Sequence, residues 1–433
     1  MTELEAGYDA IVIGAGVIGC SIARALARAG ARTLNIDALP AAGCGSTSYS
    51  SAIVRPFYSY PEGVALAHES RSRWLEWRDF LEAEEGPPLA EYRDCGMLIL
   101  PPGGDVEAIA PNIALLDRFS VRYEILGPEE MARRWPDMSL ASWSPPRRPD
   151  DPAFGAAPAR AIEAALFIRD AGYVNDPQLA ARNLAAAATR AGAAFLFNAK
   201  VVEIATRRGR VCGVRLADGR EIAAPVLVNA AGPHSAKVNA LAGVACPVAT
   251  RAMRHEIATL AGPDAFIRNG TVVGDADAGA YFRPDAGADL LVGGLDPDCD
   301  APEWVDPDAY NDQLTEQWTA QVWRAGLRLP ALAIPNRARG AVGLYDATPD
   351  WIPVYDRSSL TGYYLAIGTS GNQFKNAPVI GDLMAALIAA CKGGRDHDKT
   401  PVSLRLPALG AEVSLGAFSR NREAASTSGT VLA

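Results

Sequence analysis

Tyr8-Asp9-Ala10-Ile11-Val12-Ile13 predicts a short apolar strand, and it runs directly into Gly14-Ala15-Gly16-Val17-Ile18-Gly19. Apolar residues then recur at helical spacing through Ile22, Leu26 and Ala29, so a helix follows the glycines. After Gly30 a second strand, Arg32 to Ile36, ends on Asp37. Val211 to Arg215 and Glu221 to Ala224 predict a hairpin turning at Asp218-Gly219, followed by the buried strand Val226 to Asn229 and then Ala230-Ala231-Gly232. Near the end, Tyr363 to Ile367 predicts a strand that leads through Gly368-Thr369-Ser370-Gly371 into a helix from Pro378 to Ala390. In the middle, Ala280 to Pro284 and Asp289 to Gly293 predict antiparallel strands around a polar turn, Arg254 to Ile257 a further strand, and Val64 to Phe80 an amphipathic helix. Residues 409–433, rich in Ser, Ala and Gly, predict a mobile tail.

Composition narrows the class. With 433 residues, 49% hydrophobic and 21% charged, the chain is long enough for about two domains and has the balance of a globular enzyme. A formal charge of −9 argues against nucleic acid or another polyanion as partner, and Arg207, Arg208 and Arg210 are explained by a turn between two strands. The acidic start, Met1 to Glu5, predicts no export leader, and no uninterrupted apolar stretch is long enough to cross a bilayer, so membrane contact is expected only at the periphery or through a partner. Seven cysteines lie singly without a Cys-x-x-Cys pair, which predicts neither metal site nor disulfide framework and fits a reducing cytoplasm.

The candidate chemistry begins in the first forty residues. Gly14 permits a tight turn, Gly16 lets a pyrophosphate approach the backbone, and Gly19 lets the helix pack on the strand, while Val17 and Ile18 open a helix whose free N–H groups face the phosphates. Asp37, eighteen residues beyond Gly19, is placed to accept the hydroxyls of an adenosine ribose, and its charge disfavours a 2′-phosphate. FAD or NAD remains. Gly43 to Ser48, including Ser46 and Thr47, supplies small hydroxylated residues for a pyrophosphate or ribityl chain, although a flexible loop has the same composition. A strand ending in Ala231-Gly232 and a second glycine turn at 368–371 before a helix favour FAD, embraced from both ends of the chain.

Together these motifs resemble the D-amino-acid-oxidase-like flavoenzymes, most closely the branch of sarcosine oxidase and dimethylglycine dehydrogenase. The resemblance implies a Rossmann-like α/β FAD domain with a mostly parallel sheet, interleaved with an antiparallel-sheet substrate domain. The FAD domain is expected from 1–85, 170–245 and 335–395, and the substrate domain from 86–169 and 246–334. Ile53-Val54-Arg55-Pro56-Phe57-Tyr58 resembles the family's apolar strand, in which Arg55 takes the place of an arginine that grips a substrate carboxylate; a structural ion pair is the alternative. Ser370-Gly371-Asn372-Gln373-Phe374-Lys375 is similar to a turn whose backbone touches flavin and whose lysine faces the substrate. Lys375 is one of five lysines against thirty-six arginines, although a solvated surface lysine is also compatible. Ser51 and Val201 complete the flavin contacts expected from the resemblance.

Gly343-Leu344-Tyr345-Asp346 resembles the stretch that carries the family's flavin-linking cysteine, with Gly343 in the cysteine's place, so FAD is expected to be held without a covalent bond. Tyr345 is expected at the substrate cavity or as a packed core tyrosine, and His255 as a base or a structural strand histidine. Leu291 and Leu295 stand where sarcosine oxidase has an oxygen-activating lysine and a histidine, which puts rapid reaction with oxygen in doubt. The expected activity is oxidation of the C–N bond of a small amino acid (N-methyl, cyclic or D-) by hydride transfer to FAD, giving an imine that hydrolyses. The alternatives are a flavin-dependent 2-hydroxy-acid dehydrogenase or monooxygenase, or a flavin subunit that passes electrons to an acceptor or partner subunit.

Overall fold

The computed structural model describes residues 7–425 and residue 427. The first strand, β1 (Ala10–Ile13), is buried at all positions, which is why its sequence is apolar throughout instead of alternating. It lies inside a six-stranded sheet, parallel to β2 (Thr33–Ile36) on one side and to Leu227–Asn229 on the other. Ala194–Leu196 and Tyr363–Ile367 extend the parallel array outward, and Val354–Arg357 adds an antiparallel edge.

Helix α1 (Val17–Arg28) covers this sheet between the helices Pro177–Arg190 and Ala377–Lys392. Ser21 ties it to the latter through a 2.6 Å hydrogen bond from Oγ to the Ala377 carbonyl. The helix Pro177–Arg190 starts where it does because Asp176 accepts the Leu179 N–H at 2.8 Å and Pro177 needs no donor partner, a cap worth about 1 kcal/mol. The segment Phe374–Lys392 is long and apolar enough by composition to span a membrane, but 67% of its window is buried inside the protein, as a core helix is.

A second, nine-stranded sheet runs Glu303–Trp304, Arg251–Ala261, Asp289–Gly294, Ala280–Pro284, Val272–Asp275, Met97–Leu100, Ala165–Ile168 and Tyr123–Leu126, with Gly340–Ala347 also paired to Arg251–Ala261. It is antiparallel except between Val272–Asp275 and Met97–Leu100. Side chains alternate across it. Phe282 and Val292 pack with Trp318 and Val322 of the helix Glu316–Arg328, whereas Tyr281 and Leu291 turn to the other face and meet Ile257, Leu295 and Ile53. That second face looks toward the first half of the chain.

Four expectations are corrected. Gly340–Ala347, assigned with 335–395 to the parallel-sheet domain, instead pairs residue for residue with Arg251–Ala258, where it satisfies the long strand's free edge. The strand expected over Ile53–Tyr58 is only Ile53–Val54, since Pro56 has no N–H to continue a ladder. The helix expected over 64–80 is two helices, Pro61–Leu75 and Trp77–Leu81, broken where Glu76 leaves helical dihedrals. Residues 409–425 are no mobile tail. Ala411–Ser414 pairs with Ser403–Leu406, Phe418 is fully buried, and Arg420 and Arg422 form ion pairs with the buried carboxylates Asp356 and Asp350. The rest of that expected tail, apart from residue 427, lies outside the described residues.

Candidate functional site

At the first turn, Asp37 accepts the Ala15 N–H at 2.6 Å with one carboxylate oxygen and the Leu39 N–H at 2.8 Å with the other, and both oxygens keep further acceptor capacity. Gly19 is held against β1: a Cβ there would lie 1.9 Å from the Gly14 carbonyl oxygen. A Cβ on Gly16 would meet only the Thr47 hydroxyl, at 3.2 Å, so the backbone between the two flanking glycines is open to a ligand. Thr47 accepts the Val17 N–H at 3.0 Å, within the short 3-10 turn Ser46–Tyr49, and Ser46 donates to the Leu344 carbonyl at 2.7 Å. Ala231 and Gly232 follow the neighbouring strand, and Gly232 has open space where a side chain would be. A helix start whose N-cap is a glycine without a side chain, close backbone approach, hydroxyls and a carboxylate fit the pyrophosphate and ribose of FAD. Val201, in contrast, packs into the core with Ile11, Leu34 and Leu216.

The second region is a small cavity. It is lined by Ser51, Ile53, Arg55, Met97, Tyr281, Leu295, Gly371 and Lys375, among others. Arg55 and Lys375 are each only 3% exposed, so the surface-lysine reading is excluded. Arg55 donates to the Phe57 carbonyl and lies over the Tyr58 ring, 5.1 Å from its centroid. Lys375 donates to the Tyr58 hydroxyl at 3.0 Å and to the Asn372 carbonyl at 2.6 Å. Burial, with the Arg55 charge beside it, holds the ammonium's pKa well below its ordinary value. Burial also pushes Tyr58 up to about 12, so this hydroxyl is a neutral hydrogen-bonding group.

The turn carrying Lys375 is fixed from behind. Trp74 donates from its indole to the Lys375 carbonyl at 2.8 Å and stacks on Phe374 with centroids 5.5 Å apart. Gln373 donates to Asn372 at 2.6 Å and accepts from Tyr355 at 3.2 Å and from Asn376 at 2.8 Å, so this amide is committed within the protein. Gly371 leaves room for Tyr345, whose ring would be 2.5 Å from a Cβ at that position. Tyr345 is thus a neighbour of the cavity wall.

His255 does not line the cavity. It is buried in Arg251–Ala261, stacked on Tyr345 at 4.6 Å, with Nδ1 3.7 Å from Asp296. Gly343 pairs with His255 across the sheet, and a Cβ there would lie 2.8 Å from Cβ of Tyr49. Tyr49 therefore stands where a cysteine side chain would need to go. Acid precipitation is expected to release the yellow chromophore as FAD; flavin left in the pellet would contradict this.

Sequence alone gives no role to Tyr58, which contacts Arg55 and Lys375 from behind the cavity wall, or to Tyr281, which lines the cavity and reads only as part of a strand. Its signal was available in the alternation of Ala280–Pro284, which puts Tyr281 and Arg283 on one face; Arg283 Nε donates to the Ser51 carbonyl at 2.6 Å.

N-methyl-L-tryptophan oxidase of Yersinia pestis (strain Pestoides F) is 29% identical over 228 residues, 52% of this chain and 53% of that protein, so the chain spans about half the length of the curated relatives it matches. Among solved structures, L-proline dehydrogenase of P. horikoshii superposes with a TM-score of 0.74 at 23% identity, over 89% of this chain and 94% of the other. Glycine oxidase of Geobacillus kaustophilus superposes with a TM-score of 0.73 at 20% identity, over 96% and 99%. These two likenesses show a shared fold. Residues 9–387 match the family model described as FAD dependent oxidoreductase, and with the nucleotide turn and the two-sheet architecture that match places the chain in this FAD-dependent family of oxidoreductases.

Proposed function

We propose that this FAD-dependent oxidoreductase oxidises the C–N bond of a small amino acid, N-methyl, cyclic or D-, whose carboxylate is held by Arg55 and Lys375. The observation that carries this reading is the convergence of those two cations, from opposite ends of the chain, on one buried cavity. Two cations in a low-dielectric wall attract a carboxylate strongly, and a guanidinium can hold it through two parallel hydrogen bonds. FAD, when bound, supplies the hydride acceptor. The first sheet and the glycine turn would hold its nucleotide end, and the nine-stranded sheet would cover the substrate.

The protein's own groups then divide the work. Arg55 and Lys375 fix the carboxylate and hence the direction of the neighbouring C–H, a positioning effect worth several kcal/mol when well aligned. Tyr58 holds the Lys375 ammonium in place through its hydroxyl. Ile53, Met97 and Leu295 exclude water from the carbon that loses hydride. The substrate amine must be unprotonated to stabilise the resulting iminium, whose hydrolysis releases an aldehyde or keto acid. Leu291 and Leu295, packed with Tyr281 and Ile257, are apolar where an oxygen-activating cation would be expected, which supports an electron acceptor other than oxygen. Turnover with a two-electron artificial dye should yield one imine, or the carbonyl formed by its hydrolysis, per dye reduced; an oxidised product whose C–N bond is still at the amine level would overturn the reading.

The depressed Lys375 has a measurable consequence. In the free protein its proton is lost well below the ordinary lysine range, and a bound carboxylate restores it. Binding of an inert carboxylate is therefore expected to take up a proton and to weaken by up to about tenfold per pH unit above the free-enzyme pKa. Calorimetry in buffers of different ionisation enthalpy reads that proton. Lys375→Met should abolish the uptake; an unchanged uptake in this variant would sink the assignment.

A further inference from the structure

Behind the cavity lies a cluster for which the carboxylate anchor has no use. Tyr281 lines the cavity, and a Cβ on Gly293, its cross-strand partner, would fall 2.3 Å from the tyrosine ring, so the ring lies flat across the strand Asp289–Gly294. Tyr281 packs with Leu295, and the Tyr345 ring lies against Gly371, both residues of the cavity wall. Tyr345 is stacked on His255, whose Nδ1 is 3.7 Å from Asp296. Asp296 follows Leu295, itself a cavity residue, in a left-handed conformation with φ 49°. One oxygen of Asp296 and Nε2 of His255 are buried without a hydrogen-bond partner among the described residues.

Buried polar atoms left unpartnered are costly and call for an explanation. The charges facing Asp296 are His255 on Arg251–Ala261, Asp300 on the following loop and Arg324 on the helix Glu316–Arg328. The Arg324 charge is already matched by Asp300, at 2.6 Å. Asp296 adjoins the cavity through Leu295, which packs with Tyr281, and through His255, which stacks on Tyr345. An amino acid bound by its carboxylate presents a second, cationic end, and the oxidised carbon–nitrogen unit is cationic as well.

We propose that Asp296, with His255 beside it, is a positioning residue that selects a cationic amine end in the cavity, acting through Tyr281 and Tyr345 while Arg55 and Lys375 take the carboxylate end. This rests on the proposed function, and the test separates the two. Glycine betaine and 3,3-dimethylbutanoate have the same shape and the same carboxylate, but only betaine carries a positive charge, and its nitrogen has no lone pair to support oxidation. Each is titrated into resting yellow enzyme and followed by the flavin absorbance difference. The wild type should bind betaine about tenfold more tightly, the scale of one charge acting at several ångströms in a protein interior. Asp296→Asn should bring the two affinities together, and Asp296→Glu should restore the preference for betaine. A wild type that prefers the neutral acid overturns the proposal whatever the variants do. A preference unchanged in Asp296→Asn overturns it while leaving the carboxylate anchor standing. If neither compound perturbs the flavin, the anchor fails and this proposal with it.

Discussion

Arg55→Ala is expected to lower kcat/KM about tenfold to a hundredfold on the true substrate while the protein stays yellow. The side chain is buried beside the cavity and offers a charge-assisted pair worth about 1.5 to 3 kcal/mol. Its removal leaves the nucleotide turn untouched, since that turn is built from residues 14–19, 37 and 47. The loss should be confined to substrates with a carboxylate, so a matched amine without one should be oxidised by variant and wild type at similar, slow rates. Lys375→Met should behave likewise. Steady-state kinetics on the matched pair decide it: equal losses on both compounds would mean that Arg55 holds the wall together and does not anchor the substrate.

The largest effect is expected from Gly19→Val. Its Cβ would sit 1.9 Å from the backbone oxygen of Gly14 and 2.9 Å from the carbon, so no flexible side chain can move aside. Either α1 withdraws from β1 or the turn opens, and both destroy the phosphate approach. Overpacking commonly costs about 1 to 3 kcal/mol, and an obstruction made of backbone lies at or beyond the upper end. The purified variant should be colourless or insoluble. Gly16→Ala is the control, because the added methyl meets only the Thr47 hydroxyl at 3.2 Å; it should fold and lose FAD affinity alone. The flavin-to-protein absorbance ratio and the Tm report both, and a stable, fully yellow Gly19→Val would contradict the packing described here.

The nucleotide turn was legible because its information is local. Apolar run, glycines, helical spacing and terminal acid stand in register within thirty residues, and the structure places β1, α1 and β2 close to where they predict. Lys375 was legible for a different reason, its rarity in an arginine-rich chain joined to a family-like turn. What failed depended on partners distant in sequence. Gly340–Ala347 carries no local mark of its sheet, which only its pairing with Arg251–Ala258 decides. The segment 409–425 has the composition of a tail, yet Arg420 and Arg422 answer Asp356 and Asp350 far upstream. His255, expected as a base or a structural strand histidine, stacks on Tyr345 through a strand register that composition does not encode. Tyr281 was overlooked because a strand tyrosine is ordinary until the facing sheet and Gly293 show which way it points.

If Arg55 and Lys375 hold the carboxylate of an amino acid whose C–N bond is oxidised, anaerobic mixing of the yellow protein with N-methyl, cyclic and D-amino acids, each beside its decarboxylated amine, should separate the two sets by bleaching of the flavin band. At least one amino acid should bleach it rapidly and completely, and the matching amine about tenfold or more slowly. Equal bleaching by an amine and its amino acid, or bleaching by 2-hydroxy acids alone, would contradict that reading.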